Sequence, residues 1–449
     1  MRAIILAAGE GKRMKADSPK VLYPLAGKPM LHHVIDACLD AGIDDVTVVV
    51  GKFGEEVRKA TPQPVHFAWQ KKQLGTGHAV MCASDRIDPD DKMMILNGDG
   101  PLITPEFIKD LEAFHHETDS HGVVVAASVP DPEGYGRMIT TPFGDFEAII
   151  EQRDLHSAQT AMNNVNTGVY IFTGRELIYG LEHMDNDNSQ NEYYLTDVPK
   201  ILKEDGFKIA VYHSSDYLKF LGVNSQKQLA EAVKVLRNRI LETHFENGVT
   251  IIDPGTTYID IDVEIESGVI LHPGVILQSG CRIGKNTVIR PYTVAEGAKI
   301  GVECLIGPFA YLRNGTVIGD RCRIGDFVEV KNTTIGSDTN ASHLAYIGDA
   351  QVGDKVNFGC GAVTVNYDGK GKYKTVVEDN AFVGSNVNLI APVTVGNGAF
   401  LAAGSTITND VPADALSIAR ARQTDKTEGA RKYKKTAASN ELSEKDFRH

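Results

Sequence analysis

No CxxC pair occurs anywhere in the chain. Its six cysteines, Cys38, Cys82, Cys281, Cys304, Cys322 and Cys360, stand apart. That scatter argues against a zinc site and against a disulfide framework, and leaves unpaired buried thiols in a reducing compartment as the expectation. An excess of positive charge is also missing. Lys and Arg number 46 against 59 Asp and Glu, a formal net charge of −13, so no overall positive field would draw in a polynucleotide. Small anionic substrates need only local donors and stay open. Long apolar runs are absent as well. The opening stretch stops at Gly9 after one strand's length and leads into a charged loop, too short for the apolar core of a secretion signal. Ala381 to Asn409 lacks Asp, Glu, Lys and Arg, yet Asn, Ser, Thr, Gly and Pro interrupt it every few residues, which argues against a spanning helix. The expectation is a cytoplasmic protein that binds neither nucleic acid nor membrane.

What is present is globular. The apolar fraction is 42% and the charged fraction 23%, and 449 residues exceed what one ordinary core accommodates, so two domains are expected. The first half alternates short apolar runs, Ala3–Ala8, Val46–Val50 and Lys92–Leu96, with stretches of helical spacing such as Leu31–Leu39. That alternation predicts a mostly parallel sheet covered on both faces, with ligands beyond the carboxyl ends of its strands. The second half has a different period. From Ile265 an aliphatic residue recurs every six positions at Leu271, Leu277, Ile283 and Ile289, and after a shortened step at Ile300, Ile306, Leu312, Ile318, Ile324 and Val330. The register returns at Val352 and Phe358, and again at Val383, Leu389, Val395, Leu401 and Ile407. Neither an amphipathic helix nor a two-sided strand has period six; a parallel β-helix, with each hexad forming one short side, does. Between the halves, Ser225 and Gln228 form a capping box ahead of an apolar face of Leu229, Val233, Leu236 and Ile240, and Asn247-Gly248 is a helix stop. The division expected is residues 1–226, a helical linker 227–247, and 248–449.

The first chemistry-bearing loop reads Leu6-Ala-Ala-Gly-Glu-Gly-Lys-Arg-Met14, with Pro19-Lys20 after it. Glycine lets backbone approach phosphates, and Arg13 and Lys20 can neutralise their charge. The spacing fits neither the GxGxxG dinucleotide turn nor the GxxxxGK[ST] P-loop. Further on come Gln70-x-x-Gln73-Leu-Gly-Thr-Gly-His78, Asn97-Gly-Asp99 and Gly134-Tyr-Gly-Arg137. In this order the set resembles the sugar-phosphate nucleotidylyltransferases. With the hexad half attached, the chain from residue 3 to about 423 resembles the bacterial bifunctional N-acetylglucosamine-1-phosphate uridylyltransferase/glucosamine-1-phosphate N-acetyltransferase family. The resemblance implies a Rossmann-like α/β nucleotidyltransferase domain followed by a left-handed parallel β-helix of hexapeptide repeats.

It also implies roles. Leu6, Ala7, Ala8, Gly9, Lys20, Gln70, Gly75 and Thr76 would hold the uridine nucleotide. Gly136, Glu151 and Asn166 would hold the N-acetylglucosamine part, with Asn224 also near the ligand. Asp99 and Asn224 would coordinate magnesium, a hard cation suited to few protein oxygens when phosphates and water complete its shell. Arg13 and Lys20 would stabilise charge during in-line attack of the sugar phosphate on the α-phosphorus of UTP. The chain departs from the family pattern at Asn97 and Gly100, where many relatives carry an aromatic and a different residue; a base contact is therefore not carried onto position 97.

In the hexad half the irregularities matter more than the repeats. The pattern breaks at Asn340-Ala-Ser-His-Leu-Ala-Tyr346 and at Asn366-Tyr-Asp-Gly-Lys-Gly-Lys-Tyr-Lys374. His343 is the expected general base for an amine attacking a thioester, since imidazole titrates near working pH, although a lone histidine in a coil is more often a packing residue. By resemblance, Arg313, Lys331, Tyr346 and Asn357 would bind glucosamine-1-phosphate. Cys360, Asn366, Tyr367, Ser385, Ala403 and Arg420 would line the acetyl-CoA side. Cys360 has no activating His or Asp in its local sequence and is expected to be a small buried residue, which favours direct transfer over an acyl-cysteine. The basic stretch Arg431–Lys435 reads as a solvated charge run. Two alternatives stand beside this reading: a single nucleotidylyltransferase whose solenoid only assembles subunits, and a non-catalytic nucleotide-sugar sensor. Solenoids of this family form homotrimers, which the resemblance implies here too.

Overall fold

The computed structural model describes residues 1–9, 11, 14 and 18–433. Arg13 and the end of the basic run, Lys434-Lys435, lie outside the described residues. The chain forms two compact units, one of residues 1–286 with 294–297 and the other of 287–293 with 298 onward.

The first unit is built on a nine-stranded sheet. Its main path runs Ile209–Ser214, Gly122–Ser128, Asn164–Thr173, Lys92–Asn97, Arg2–Ala7, Val46–Val50 and His66–Trp69. The strands around Arg2–Ala7 are parallel, as expected. Asn164–Thr173 runs antiparallel to both its neighbours, so the sheet is mixed rather than mostly parallel. The alternation of side chains along a strand explains the near-continuous apolar runs. Ile5, Val48, Leu96 and Val125 enter one buried cluster, whereas Ile4, Val49, Ile95 and Val124 enter a second. A strand buried on both faces has no polar side.

Helices cover the sheet, among them Met30–Asp40, Pro105–Thr118 and Gly174–Glu182. Thr104 caps Pro105–Thr118, accepting from the Phe107 N–H, with proline in the first turn, the arrangement that satisfies otherwise orphaned donors. The helix Gln226–Glu246 begins at Ser225, whose hydroxyl accepts from the Gln228 N–H at 3.2 Å. The reciprocal half of the capping box is displaced by one residue: Gln228 Oε1 accepts from the N–H of Asn224, at 2.9 Å. Among the described residues no helix is long and apolar enough to cross a membrane.

The left-handed β-helix is made of sides two to four residues long. In the first unit, Thr250–Ile251 pairs with Ile270–Leu271 and Tyr258–Ile259 with Ile276–Gln278, all in parallel. In the second unit the same pattern continues, with Leu305 opposite Arg323 and Ile306 opposite Ile324. Rung partners on adjacent coils stand 17 or 18 residues apart from Leu305 to Val363 and 25 apart where the Asn366–Lys374 loop is inserted. Every aliphatic of the six-residue series, from Leu271 and Leu277 to Leu401 and Ile407, is buried; the period is the fold. Buried threonines between coils are satisfied in turn: Thr333 donates to the carbonyl of Ile347 and accepts from the Ala350 N–H, which removes the penalty for an enclosed hydroxyl. One expectation fails. Cys360 is exposed, because it occupies a turn between two strands that Gly361 closes at φ +76.

Candidate active sites

In the first unit a cavity of about 460 Å³ opens where the carboxyl ends of the parallel strands meet the loops that follow them. The Leu6–Gly9 segment, Lys20, Gln70, Gly75 and Thr76 line one part of it. Gly136, Glu151 and Asn166 line another, with Asp99 and Asn224 also on its wall. All described residues expected at this site are thus brought together.

Each is held by a physical constraint. Gly75 has φ +107, and a Cβ there would lie 2.4 Å from the carbonyl oxygen of Tyr193; only glycine allows this turn to close on the Tyr193 backbone. Gln70 donates to the Gly75 carbonyl at 2.9 Å, and Gln73 donates to the Ala8 carbonyl at 2.6 Å, tying the Gln-rich loop to the end of the first strand. Lys20 is buried. Its ammonium donates to Asp99 Oδ2 and, at 2.9 Å, to Asn224 Oδ1. Two oxygen donors therefore converge on one cationic position, a donor set that suits a hard divalent cation. Asn224 reaches that position because Gln228 holds its backbone.

On the other wall, Glu151 accepts from the Thr196 hydroxyl at 3.0 Å, and burial pushes its carboxyl above the ordinary range. Nearby Asp197 is pushed up to about 6, first by burial and then by Asp185. Asn166 donates to the Tyr170 hydroxyl at 2.6 Å, and its Oδ1 accepts from the Gly168 N–H at 3.2 Å. Gln73, Thr196 and Gln228 were not singled out from sequence as site residues. Gln73 stood inside the Gln70–His78 motif and could have been included; Thr196 acts on a neighbour that only the fold supplies, whereas Gln228 acts on Asn224, four residues before it.

The second set of residues lies on the outer face of the solenoid. His343 has 57% of its side chain exposed, and its Nδ1 lies 2.6 Å from Asp326 Oδ1. Asp326 and His343 occupy the same rung of adjacent parallel strands. A carboxylate on one ring nitrogen fixes the tautomer and leaves Nε2 as the acceptor. Arg313 pairs with Glu329 at 2.9 Å. Lys331 is held below the ordinary lysine range by neighbouring Lys372 and then by Arg313, so three cations share this patch. A Cβ on Gly348 would lie 2.4 Å from the Tyr346 hydroxyl: the phenol lies across Gly348, the rung partner of Lys331. Asn357 pairs with Asn340 on the ladder below. Asn366 is buried, donates to Asp349 Oδ2 at 2.5 Å, and has the Tyr346 hydroxyl at 3.4 Å. Tyr367 is exposed and bridges to Lys372 across its loop.

Cys360, Ser385, Ala403 and Arg420 rise along one ridge. The Asn386 N–H donates to the Cys360 carbonyl and the Gly404 N–H to the Ser385 carbonyl, both at 2.8 Å. Arg420 lies beside Gly404. Asp326, Asp349 and Lys372 were missed in sequence. The two aspartates stand 17 residues before their partners, a signal readable only once the coil length is known.

Comparison with known proteins places both halves. The MobA-like NTP transferase domain matches residues 3–194. The bacterial transferase hexapeptide (six repeats) matches residues 262–296, 297–332 and 374–409; the stretch left between the last two holds His343, Tyr346, Asn357 and Asn366. A protein of Geobacillus sp. (strain WCH70) is 46% identical over 94% of this chain and 96% of its own length. One of Clostridioides difficile (strain 630) is 45% identical over 94% and 95%. One of Clostridium tetani (strain Massachusetts / E88) is 46% identical over 96% and 98%. All three carry the name bifunctional protein GlmU.

Proposed function

Because this chain belongs to the GlmU family of bifunctional proteins, we propose a division of labour in which the cavity of the first unit performs uridylyl transfer and the exposed His343 face performs acetyl transfer. The chain is a transferase with both activities, serving UDP-N-acetylglucosamine biosynthesis and so cell-wall biogenesis. In functional terms residues 1–226 carry the first activity, 227–247 link, and 248–449 carry the second. The observation that bears most weight is that Asp99 lines the cavity while His343 is not among its lining residues and has its own carboxylate partner.

In the acetyl-transfer step, the amine of glucosamine-1-phosphate attacks the thioester carbonyl of acetyl-CoA. A C–N bond forms, the C–S bond breaks, and His343 Nε2 takes the proton from nitrogen while the thiolate of CoA departs. Asp326 holds the ring for this transfer. Arg313, Lys331 and Lys372 supply positive charge for the substrate phosphate, with Tyr346 and Asn357 toward the sugar. Asn366, Tyr367, Cys360, Ser385, Ala403 and Arg420 face the acetyl-CoA side.

In the uridylyl-transfer step, the phosphate oxygen of N-acetylglucosamine-1-phosphate attacks the α-phosphorus of UTP and pyrophosphate leaves. Gly136, Glu151 and Asn166 orient the sugar, and the Leu6–Gly9 backbone with Gln70, Gly75 and Thr76 orients the nucleotide. Lys20 and Arg13 neutralise the charge gathering on the transferred group. The family uses a divalent metal; we assign magnesium, held by Asp99 and Asn224, where it would neutralise triphosphate charge when bound.

We assign the protein to the cytoplasm, since acetyl-CoA, UTP and sugar phosphates are intracellular substrates. The solenoid also points to assembly. Tyr292, Phe309 and Phe327 form an exposed column, ring on ring at 5.3 and 5.2 Å. Contiguous apolar surface of that kind marks an interaction face. We assign it to a homotrimer in which neighbouring subunits enclose the open acetyl-transfer site. Sedimentation should give three times the chain mass, and Phe309→Glu should lower it.

A coupled assay with UTP, glucosamine-1-phosphate, acetyl-CoA and magnesium tests the whole reading. Free CoA should appear, and pyrophosphate should appear with it. Pyrophosphate release from N-acetylglucosamine-1-phosphate without any consumption of acetyl-CoA would reduce the solenoid to an assembly device.

A further inference from the structure

Arg137 is the largest fully buried side chain among the described residues, 1% exposed. A guanidinium so enclosed would be expected to face a carboxylate. Its acceptors are instead all neutral. Nη1 donates to the carbonyl of Pro132 at 2.9 Å, to the carbonyl of Tyr135, and to Gln152 Oε1 at 3.1 Å. Nη2 donates to the carbonyl of Thr160 at 3.2 Å, and Nε is buried with no partner. The group therefore gathers two loops, one running through Glu133–Gly136 and the other following Glu151.

Its backbone does the complementary work. Arg137 sits opposite Ile150 in one antiparallel pairing and opposite Val165 in another. Gly136, Glu151 and Asn166, the three residues given to the sugar, are each one position from this single rung. Gly136 accepts at its carbonyl from the Asn166 N–H at 2.9 Å, and a Cβ on Gly136 would stand 3.6 Å from Glu151 Oε2. Nothing in the local sequence requires a cation beneath this rung. The planar fork, with donors pointing in several fixed directions, is what lets one side chain reach both loops.

We infer that Arg137 is a positioning residue for the sugar-phosphate substrate, setting the mutual geometry of Gly136, Glu151 and Asn166 from below without touching the ligand. This rests on the assignment of those three residues to the sugar. The role differs from a general contribution to folding in what it disturbs: binding of the sugar phosphate, and not binding of UTP or reaction at the solenoid.

The test uses the full-length chain carrying Arg137→Lys, Gln152→Ala or Asn166→Ala, with KM measured separately for N-acetylglucosamine-1-phosphate and UTP. Lysine keeps the charge but cannot span both loops, so Arg137→Lys should raise the sugar-phosphate KM about tenfold or more while the UTP KM changes less than about threefold. Gln152→Ala removes one tether and should move the same constant in the same direction by a smaller factor. It also decides the matter if Arg137→Lys fails to fold. Acetyl transfer, measured on each sample, should stay unchanged. Equal increases in both KM values, or an unaltered sugar-phosphate KM in Arg137→Lys and Gln152→Ala beside a raised one in Asn166→Ala, would overturn the positioning role. An unaltered sugar-phosphate KM in Asn166→Ala would overturn the sugar assignment, and the inference with it.

Discussion

The cavity of the first unit and the His343 face of the solenoid, to which we assign uridylyl and acetyl transfer, would solve the same problem, holding a sugar phosphate beside an activated donor, by opposite means. The cavity draws on residues from position 6 to position 228, carried on loops and strand ends that a mixed sheet brings together. Its polar groups are buried or half-buried and cross-braced: Lys20 between Asp99 and Asn224, Glu151 against Thr196. The His343 face is a stretch of surface on a ladder of parallel rungs, with His343 more than half exposed. Order there comes from backbone register, since Asp326 and His343 are rung partners. A sheet-end cavity can enclose its substrate within one chain. A solenoid face cannot, which is the reason the proposed assembly is assigned to the second site.

The sharpest way to break this comparison is to remove each centre in turn. Asp99→Ala should lower uridylyl transfer by about a thousandfold or more and leave acetyl transfer within about twofold. His343→Ala should lose acetyl transfer by about a hundredfold or more and keep uridylyl transfer. Parallel losses in the two purified-enzyme assays would sink the division into two sites. Next in size is Asp326→Asn. The ring would keep its place on the ladder but lose its charged orienting partner, so acetyl-transfer kcat should fall by roughly ten- to a hundredfold with little change in either KM. An unaltered kcat would mean that the carboxylate is only a surface partner.

Two glycine substitutions sharpen the contrast. At Gly75 an added Cβ meets backbone 2.4 Å away at φ +107; at Gly348 it meets, at the same distance, the hydroxyl end of the Tyr346 side chain. A rotatable ring can give way and a carbonyl cannot. Gly75→Ala should therefore destabilise the chain by about 1–3 kcal/mol and impair uridylyl transfer. Gly348→Ala should leave stability nearly unchanged and reduce acetyl transfer several-fold by displacing the phenol. Denaturant unfolding alongside both assays separates these outcomes.

The smallest effect concerns acid. His115 is buried with neither ring nitrogen partnered, and burial lowers its value from 6.5 to about 4. His32, His33 and His244 are shifted the same way for the same first cause. Each binds its proton more readily in the unfolded chain. For His115 the contribution to stability is complete above about pH 6.5, declines as pH falls, and levels off below about 4. All four lie in the first unit, whereas the one histidine among the described residues of the second is the exposed His343. Trp69, the single tryptophan, reports on the first unit. Urea melts followed by its fluorescence should weaken from pH 7 to pH 5, and His115→Leu should flatten that slope. A slope unaltered by the substitution would place the acid sensitivity elsewhere.

Much of the architecture could be read in advance, because it repeats. The six-residue aliphatic series is a direct image of which positions face inward, and all of them are buried. The loop motifs around Gly9, Gly75 and Asp99 announced themselves through glycines and polar residues just after apolar strands. What escaped was which partner each polar side chain would take. Gln228 was read as a cap for its own helix, yet its side chain reaches one residue further back and fixes Asn224. Arg137 was visible only as the end of a motif, because nothing along the chain says that the Pro132 and Thr160 carbonyls will meet beneath it. The exposure of Cys360 went the other way: a small residue between glycines suggested burial, and the turn between two strands left it exposed.

The amino-acid order on its own settled the periodicities, and through them the two architectures and the loops that could bear chemistry, because burial of alternate or every-sixth side chains is a local property of backbone geometry. Tertiary structure alone decided which polar groups meet. The coil step that puts Asp326 under His343, the antiparallel strand that brings Asn166 beside Gly136, and the fold that converges Lys20, Asp99 and Asn224 on one point all depend on distances between segments, and no short window of sequence encodes such a distance.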